Sequence, residues 1–333
     1  MWDAVAALTA RAPSLRALCD HRLHLLAAWE AHRSGTGPDP ASAAERVLAS
    51  AIELTAPVVL TAARAAWDGR LVVMKGPEVA LRYPARATRP YSDLDVLTPD
   101  APATQRALLA AGFRELGDPA LYSGIHHLRP LWLPGTPLTV ELHSQPKWPE
   151  YLSPPSLAEL LDAAVPGRTG VAGIEALRPE HHAVVLAAHS WAHAPLARAG
   201  HLVDVAAVLT EADADATAQL ARRWGCGEMW GTTRGAIRAL LEGGRSLALS
   251  TWARHRSASR ERTVLAAHAE AWLAPFWAAS PRRAPAAALA AMADDLRPSE
   301  QESWRAKLAR SGMAIAHARR PQSEHDRRLE ARA

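Results

Sequence analysis

Two aspartates separated by a single leucine lie in the segment Ser92-Asp-Leu-Asp-Val-Leu-Thr98. The apolar residues of this segment predict a β-strand. Because side chains alternate between the two faces of a strand, Asp93 and Asp95 point the same way and lie roughly 6.5–7 Å apart. Two carboxylates this close repel each other unless a cation lies between them. The segment therefore predicts a sheet that presents acidic groups to a cation; the alternative is a solvated pair on a surface strand.

A third acidic residue lies in Leu138-Thr-Val-Glu-Leu-His143, which has the alternating pattern of another short strand. Glu141 and His143 share one face of it. If this strand pairs beside the first, Glu141 completes a carboxylate triad around one or two Mg²⁺ ions, since Mg²⁺ takes hard oxygen ligands. Two ions about 3.5–4 Å apart would clamp the attacking and leaving oxygens of a phosphoryl displacement. A glutamate on the solvent face of a strand is the alternative.

These segments are joined by further short motifs that resemble one known family. The motifs are Lys75-Gly76, Arg82-Tyr-Pro84, Arg89-Pro90, Ser92–Leu97, His126-His127 and Val140–His143. Together they resemble the bacterial nucleotidyltransferase-like family of the polymerase-beta nucleotidyltransferase superfamily, over roughly residues 70–145. The segments 179–189 and 202–204 are more loosely similar to that family's helical second half. The resemblance implies a small mixed sheet flanked by helices, Mg²⁺ dependence, and transfer of a nucleoside monophosphate from a nucleoside triphosphate.

The resemblance also implies roles for the glycine turn. Such proteins usually have Gly-Ser there, but Gly76 is followed by Pro77, which has neither a hydroxyl nor a backbone N–H. Lys75 is then the candidate for a point charge on the phosphates, and Gly76 still permits close backbone approach. Arg89 is the candidate for bidentate contacts to phosphate. The alternatives are a lysine extending to solvent from a strand end and a solvent-facing arginine.

Two more residues belong to the predicted nucleotide site. The resemblance implies nucleotide contacts for Ser92 and for His143, and His143 also shares a strand face with Glu141. A structural histidine is the alternative. His189 and His193 stand four apart on a predicted helix, but the glutamate of the zinc-protease motif is absent between them. We therefore do not expect a catalytic zinc site.

Composition limits the possible partners. The 333 residues suffice for two domains, and the formal net charge is +4. The segment from Arg297 onward holds nine Lys/Arg and five Asp/Glu, which leaves the remaining body neutral. Proteins that bind nucleic acid normally carry a basic face on the folded body, so a nucleic-acid partner is disfavoured but not excluded. A small-molecule or peptide acceptor is favoured instead.

Location in the cell is predicted from two weak signals. Cys19 and Cys226 lie far apart without metal-ligand spacing, which favours a reducing compartment and disfavours zinc. Neither a signal-peptide pattern nor an apolar run of membrane-spanning length is evident. We expect a cytoplasmic protein without a membrane partner.

The predicted fold is α+β. Residues 1–67 form an N-terminal helical segment, broken near Pro13. Residues 68–150 form the nucleotidyltransferase core with its small mixed sheet, residues 151–320 form a mostly helical domain, and residues 321–333 form a disordered tail. Breakers at Pro154-Pro155 and Pro166-Gly167 mark the change of character after the core.

The predicted activity is Mg²⁺-dependent nucleotidyl transfer, with Asp93, Asp95 and Glu141 as metal ligands and catalytic groups. The acceptor stays open between a small molecule or peptide, an aminoglycoside-like compound and, as in toxin systems, the end of a tRNA. A catalytically degenerate fold that serves as a binding or scaffold protein is the main alternative. Phosphoryl transfer to a hydroxyl is disfavoured because a glycine-rich phosphate loop is absent.

Overall fold

The N-terminal residues form four helices around short turns. A computed structural model describes residues 1–117, 127–193, 195–196, 198–252, 262–298, 303–322 and 324–325. Its first helices are α1 (Trp2–Ala10), α2 (Leu15–Asp20), α3 (His24–Arg33) and α4 (Ala43–Ala66). Ser14 begins α2 by accepting a hydrogen bond from the Ala17 backbone N–H at 3.2 Å. The predicted break near Pro13 is confirmed, and a second break separates α2 from α3.

Seven strands form one mixed sheet within the described residues, in the order β3-β4-β5-β2-β1-β7-β6. The strands are β1 (Val72–Val73), β2 (Asp93–Leu97), β3 (Arg114–Glu115), β4 (Leu131–Trp132), β5 (Thr139–His143), β6 (Ala164–Pro166) and β7 (Glu175–Leu177). The central strand β2 pairs parallel with β5 and antiparallel with β1. The predicted small mixed sheet with flanking helices is confirmed.

The sheet continues beyond the segment in which it was expected. β7 pairs parallel with β1, and β6 pairs antiparallel with β7. We expected residues 151–320 to form a mostly helical domain and did not anticipate these two strands within it. The predicted boundary at residue 150 therefore falls between strands of the same sheet.

Helices cover both faces of the sheet. The further elements are α5 (Pro77–Ala80), α6 (Ala101–Ala110), α7 (Leu157–Asp162), α8 (Pro179–His193), α9 (Ala199–Leu209), α10 (Ala214–Arg223), α11 (Gly227–Leu241) and α12 (Leu247–Trp252). One hydrophobic cluster joins α4 and α6 to the face that carries Leu94, Val96 and Val140. A second hydrophobic cluster joins helices α8, α9, α10 and α11 to the opposite face of the sheet, through Val72 and Leu97. The acidic face of β2 and β5 is thus the face toward α8 and α9.

The helix over Pro40–Ala66 corrects one expectation. It is 27 residues long with a mean hydropathy of 1.4 in its most apolar window, and is long and apolar enough to cross a membrane. One third of that window is buried, and Ile52, Val59 and Leu60 pack against the sheet. Core helices of soluble proteins meet the same criteria of length and composition, so this helix alone is weak evidence for a membrane.

The C-terminal part of the described chain is helical. Its helices are Val264–Leu273, Pro275–Ala278, Ala284–Leu296 and Trp304–Ala316. Within the predicted disordered tail, His325 is buried and the Gln322 N–H donates to the Arg262 carbonyl at 2.9 Å, so this part is folded. Residues 323 and 326–333 lie outside the described residues.

Candidate active site

The parallel pairing of β2 and β5 brings the predicted acidic residues together. Asp95 stands directly opposite Glu141 in the register, and Leu97 opposite His143. Ligand atoms of Asp95, Glu141 and His143 all lie within 4.8 Å of one another. The predicted placement of Glu141 beside the Asp-x-Asp strand is therefore confirmed, because alternation along both strands turns these side chains to the same face.

Asp95 is almost fully buried, at 1% exposure. Its Oδ1 lies 2.9 Å from Lys75 Nζ and 3.1 Å from His143 Nε2. Burial alone would raise the pKa of Asp95, but the Lys75 ammonium and the hydrogen bond from His143 hold that pKa well below its usual range. Within the described part of the chain, the other oxygen, Oδ2, is buried without a hydrogen-bond partner. An ionised carboxylate with one unused oxygen suits a cation.

Glu141 is held differently. Its Oε2 lies 3.7 Å from Nε2 of both His127 and His143. Burial, followed by the carboxylates of Asp95 and Asp93, raises the pKa of Glu141 to about 7. The pKa rises because Glu141 is partly buried and lies near two other carboxylates. A divalent cation at this point would offset the negative charge of these carboxylates, so the donor set fits one.

Asp93 lies at the edge of this cluster. It begins β2, is half-buried, and is not a member of the group within 4.8 Å, although its charge acts on Glu141. Ser92, just before it, is exposed, and its carbonyl accepts a hydrogen bond from the Thr139 N–H at 3.1 Å. Asp93 thus faces the cavity described below, whereas Ser92 contributes a backbone contact that joins β2 to β5.

The turn at Gly76 is packed directly against β2. Gly76 has φ 63° and ψ −123°, a backbone conformation that residues other than glycine rarely adopt. A Cβ there would lie 3.1 Å from the Asp93 carbonyl oxygen. The Met74 N–H donates to the Asp95 carbonyl at 2.9 Å, so strand pairing continues to the edge of the turn. Close packing explains the glycine, and Pro77 starts α5 where its missing N–H costs nothing.

Arg89 is neither exposed nor extended to solvent. Its guanidinium donates to Asp204 through Nε at 2.8 Å and Nη2 at 2.9 Å, and Nη1 donates to the Gly76 carbonyl at 3.3 Å. Tyr83 Oη donates to the same Asp204 at 2.6 Å. The alternative of a solvent-facing arginine is therefore wrong. Arg89 fixes the glycine turn to α9, and it still lines the cavity beside the turn.

A family comparison adds independent information. A family model described as an uncharacterised nucleotidyltransferase matches residues 45–242, which is more than half of the chain. The chain belongs to this nucleotidyltransferase family. No curated protein matches it. The matched span contains Lys75, Asp95 and Glu141, so the carboxylate cluster lies inside the region that this nucleotidyltransferase family shares.

A cavity of about 280 Å³ opens beside the cluster in this nucleotidyltransferase fold. It is lined by Arg22, Lys75, Arg89, Tyr91, Asp93, Leu186, His189, His193, Arg198, His201, Asp204 and Arg262. Lys75 Nζ lies 3.1 Å from His189 Nε2, so Lys75 joins the cavity to Asp95. Lys147 Nζ lies 3.1 Å from His193 Nδ1, and burial followed by the Lys75 charge lowers the pKa of Lys147.

The histidines of this cavity are held neutral. Burial, together with the Lys75 charge, lowers the pKa of His189 well below its ordinary value. Burial, followed by Lys147 and Lys75, lowers the pKa of His193 to about 4. The candidate metal groups found in the described residues do not include these two histidines. In a second group, formed by Cys19, His24 and Glu45, His24 Nε2 lies 2.5 Å from Glu45 Oε2.

Sequence reasoning missed several residues of this site. Asp204, Arg198 and Arg22 are far from the motifs along the chain, and their approach depends on how α8 and α9 pack on the sheet. The segment 202–204 carried only a loose family similarity. His126 lies outside the described residues.

Proposed function

We propose that the protein is a Mg²⁺-dependent nucleotidyltransferase. It would move a nucleoside monophosphate from a nucleoside triphosphate to a hydroxyl or phosphate of a small-molecule or peptide acceptor, and release pyrophosphate. The observation that carries the proposal is the pairing of Asp95 with Glu141 on adjacent strands, beside a buried carboxylate oxygen without a partner in the described chain. Membership of the nucleotidyltransferase family supports the same reaction class.

Asp95 and Glu141 would hold the magnesium, together with Asp93 at the edge of the cluster. We infer that two magnesium ions bind. When bound, Mg²⁺ would neutralise charge on the phosphates and lower the pKa of a coordinated hydroxyl. Oxygen ligands of this kind suit Mg²⁺. The unpartnered Asp95 oxygen and the raised pKa of Glu141 both support the fit.

The side chains of the protein would position the reactants and manage one proton. Glu141, beside the proposed metal site, would accept the proton of the acceptor hydroxyl. The acceptor oxygen then bonds to the α-phosphorus while the bond from that phosphorus to the bridging oxygen breaks, and pyrophosphate leaves with the bond electrons. Lys75 would place a positive charge beside the departing phosphates. Catalysis would rest on orientation and charge.

The acceptor is proposed from charge and size. Net charge outside the C-terminal segment is zero, which disfavours a long nucleic acid. The cavity volume of about 280 Å³ is at the low end of the roughly 300–1,000 Å³ typical of ligand pockets. Both observations favour a small or peptidic acceptor over a long nucleic acid.

The product formed identifies the reaction. The protein is incubated with Mg²⁺, each α-labelled nucleoside triphosphate and a panel of hydroxyl, phosphate and peptide acceptors, with tRNA as a separate arm. Nucleotidyl transfer releases pyrophosphate and labels the acceptor, whereas phosphoryl transfer releases a nucleoside diphosphate. Asp95→Asn should abolish the transfer, and the exposed Asp215→Asn should not. Failure to bind any triphosphate would favour a scaffold role instead.

A further inference from the structure

A half-buried lysine follows the strand that carries Glu141. In the sheet order, β1 and β5 flank β2 on its two sides. Lys75 follows β1, whereas Lys147 follows β5. Burial and the two aspartates of β2 raise the pKa of Glu141, and the charges of Lys75 and then Lys147 oppose that rise. Lys147 therefore lies within electrostatic reach of the proposed proton acceptor.

The charge of Lys147 has no anion in contact with it. Its Nζ donates to His193 Nδ1 at 3.1 Å. Burial, then the charges of Lys147 and Lys75, lower the pKa of His193 to about 4, so this ring is neutral near pH 7. In the described part of the chain, Lys147 makes its hydrogen bonds to this ring and forms no ion pair. An ammonium that is half out of water and beside a second cation favours an anionic partner.

The segment around Lys147 is fixed by its neighbours. Pro146 and Trp148, on either side of it, are buried. Trp148 packs edge-on against Trp224, with ring centroids 5.9 Å apart. The backbone that presents the ammonium is thus anchored in the core. A group that is already held in place loses little freedom when a ligand binds, which suits a recognition role.

We propose that Lys147 binds an anionic oxygen group of the acceptor, a phosphate or a carboxylate, and so selects acidic acceptors for the transfer. This assignment rests on the proposed function. Glu141 lies on β5, and Lys147 follows that strand by four residues. An acceptor whose hydroxyl meets Glu141 therefore brings its neighbouring groups beside Lys147. An ammonium is a compact point charge, so it attracts either oxyanion without the two-pronged geometry of an arginine.

Protection of Lys147 from acylation tests the assignment without any chemistry at phosphorus. The Arg106→Lys protein is treated in EDTA with dilute sulfosuccinimidyl acetate, and peptide mass spectrometry follows acylation at each lysine. Position 106 is exposed on α6, so the introduced lysine is the control. Saturating inorganic phosphate and acetate are compared with chloride at equal pH and ionic strength. We expect one or both anions to slow acylation of Lys147 at least tenfold and to leave the introduced lysine unchanged.

A smaller effect from both anions, or equal slowing at the two lysines, would overturn the assignment. A second arm separates the acceptor from the triphosphate by adding Mg²⁺ and a saturating non-hydrolysable nucleoside triphosphate. We expect the triphosphate alone to slow acylation of Lys147 less than threefold, and phosphate to protect it as before. Threefold or greater protection by the triphosphate alone would assign Lys147 to the nucleotide and overturn the proposal.

Transfer assays then show whether the bound anion belongs to the acceptor. Acceptors with a phosphate or carboxylate should be modified at least tenfold more efficiently than their neutral counterparts. Lys147→Gln should raise the acceptor KM at least tenfold and leave the triphosphate KM unchanged, and Lys147→Arg should recover most of that loss. Preference for a neutral acceptor would overturn the inference. Absence of transfer to every acceptor would contradict the proposed function instead, while the acylation experiment still decides whether Lys147 binds an anion.

Discussion

Arg89 and Asp204 form a two-pronged ion pair across 115 positions of the chain, with Nε–Oδ1 and Nη2–Oδ2 distances of 2.8 and 2.9 Å. Both residues are buried, at 6% and 8% exposure. Because Arg89 also donates to the Gly76 carbonyl, the pair ties the glycine turn to α9. The position of the turn beside the carboxylates therefore depends on a contact with the helical part of the chain.

Asp204→Asn should destabilise the protein strongly, because it leaves the Arg89 charge buried without its partner. We expect a loss of about 3–5 kcal/mol in the free energy of unfolding, measured by urea denaturation. Arg168→Gln is the control: its pair with Glu211 is exposed, and its loss should stay below about 1 kcal/mol. Equal losses in the two variants would show that the Arg89–Asp204 pair does not hold the turn.

Gly76→Ala should cost more than Gly135→Ala. Both glycines have positive φ, 63° and 88°, but a Cβ at Gly135 meets no atom within 4 Å while one at Gly76 lies 3.1 Å from the Asp93 carbonyl. Backbone strain alone costs about 1–3 kcal/mol, and the added contact at Gly76 increases it. Urea denaturation of both variants measures the difference. A Gly135→Ala loss as large as that of Gly76→Ala would contradict the close packing of the turn.

The local part of the site could be predicted from sequence. The alternation of side chains showed which residues share a face in β2 and in β5. Only the pairing of these two strands was then needed to bring Asp95 and Glu141 together. Lys75 was placed correctly at the end of the first strand segment. These features depend on neighbours along the chain, or on one pairing of two clearly patterned strands.

The rest depends on contacts between distant segments. β6 is three residues long and ends in Pro166, so it has neither the length nor the composition of a recognisable strand. Arg89 stood among many arginines, and nothing nearby in sequence identifies Asp204 as its partner. Arg22, Arg198 and Arg262 line one cavity because segments from both ends of the chain pack around the sheet.

Glu141 should make stability fall with rising pH in the metal-free protein. Its pKa rises from an ordinary 4.5 to about 7 on folding, so the folded state binds this proton more tightly. The stabilisation that Glu141 contributes to the free energy of unfolding is fully present below pH 4.5, declines as pH rises, and is lost above pH 7. Glu141→Gln stays neutral. In EDTA, the stability of the variant minus that of wild type should therefore grow by up to about 3 kcal/mol over this range.

Urea denaturation at a series of pH values from 4 to 8 measures that difference. Taking a difference removes the opposite contributions of the buried histidines, such as His182, whose pKa is lowered to about 3 by burial first and by the Arg82 charge next. A difference that does not change with pH would show that Glu141 is not buried among the carboxylates.

The most direct test of the account is whether magnesium and nucleotide bind together through Asp95. Equilibrium dialysis with a labelled nucleoside triphosphate, with and without Mg²⁺, compares wild type with Asp95→Asn, Glu141→Gln and the exposed control Asp215→Asn. We predict that Mg²⁺ tightens binding at least tenfold, about 1.4 kcal/mol, in wild type and in the control, and not in the two site variants. Equal affinity of the wild type with and without Mg²⁺, or an unchanged Mg²⁺ effect in Asp95→Asn, would contradict it.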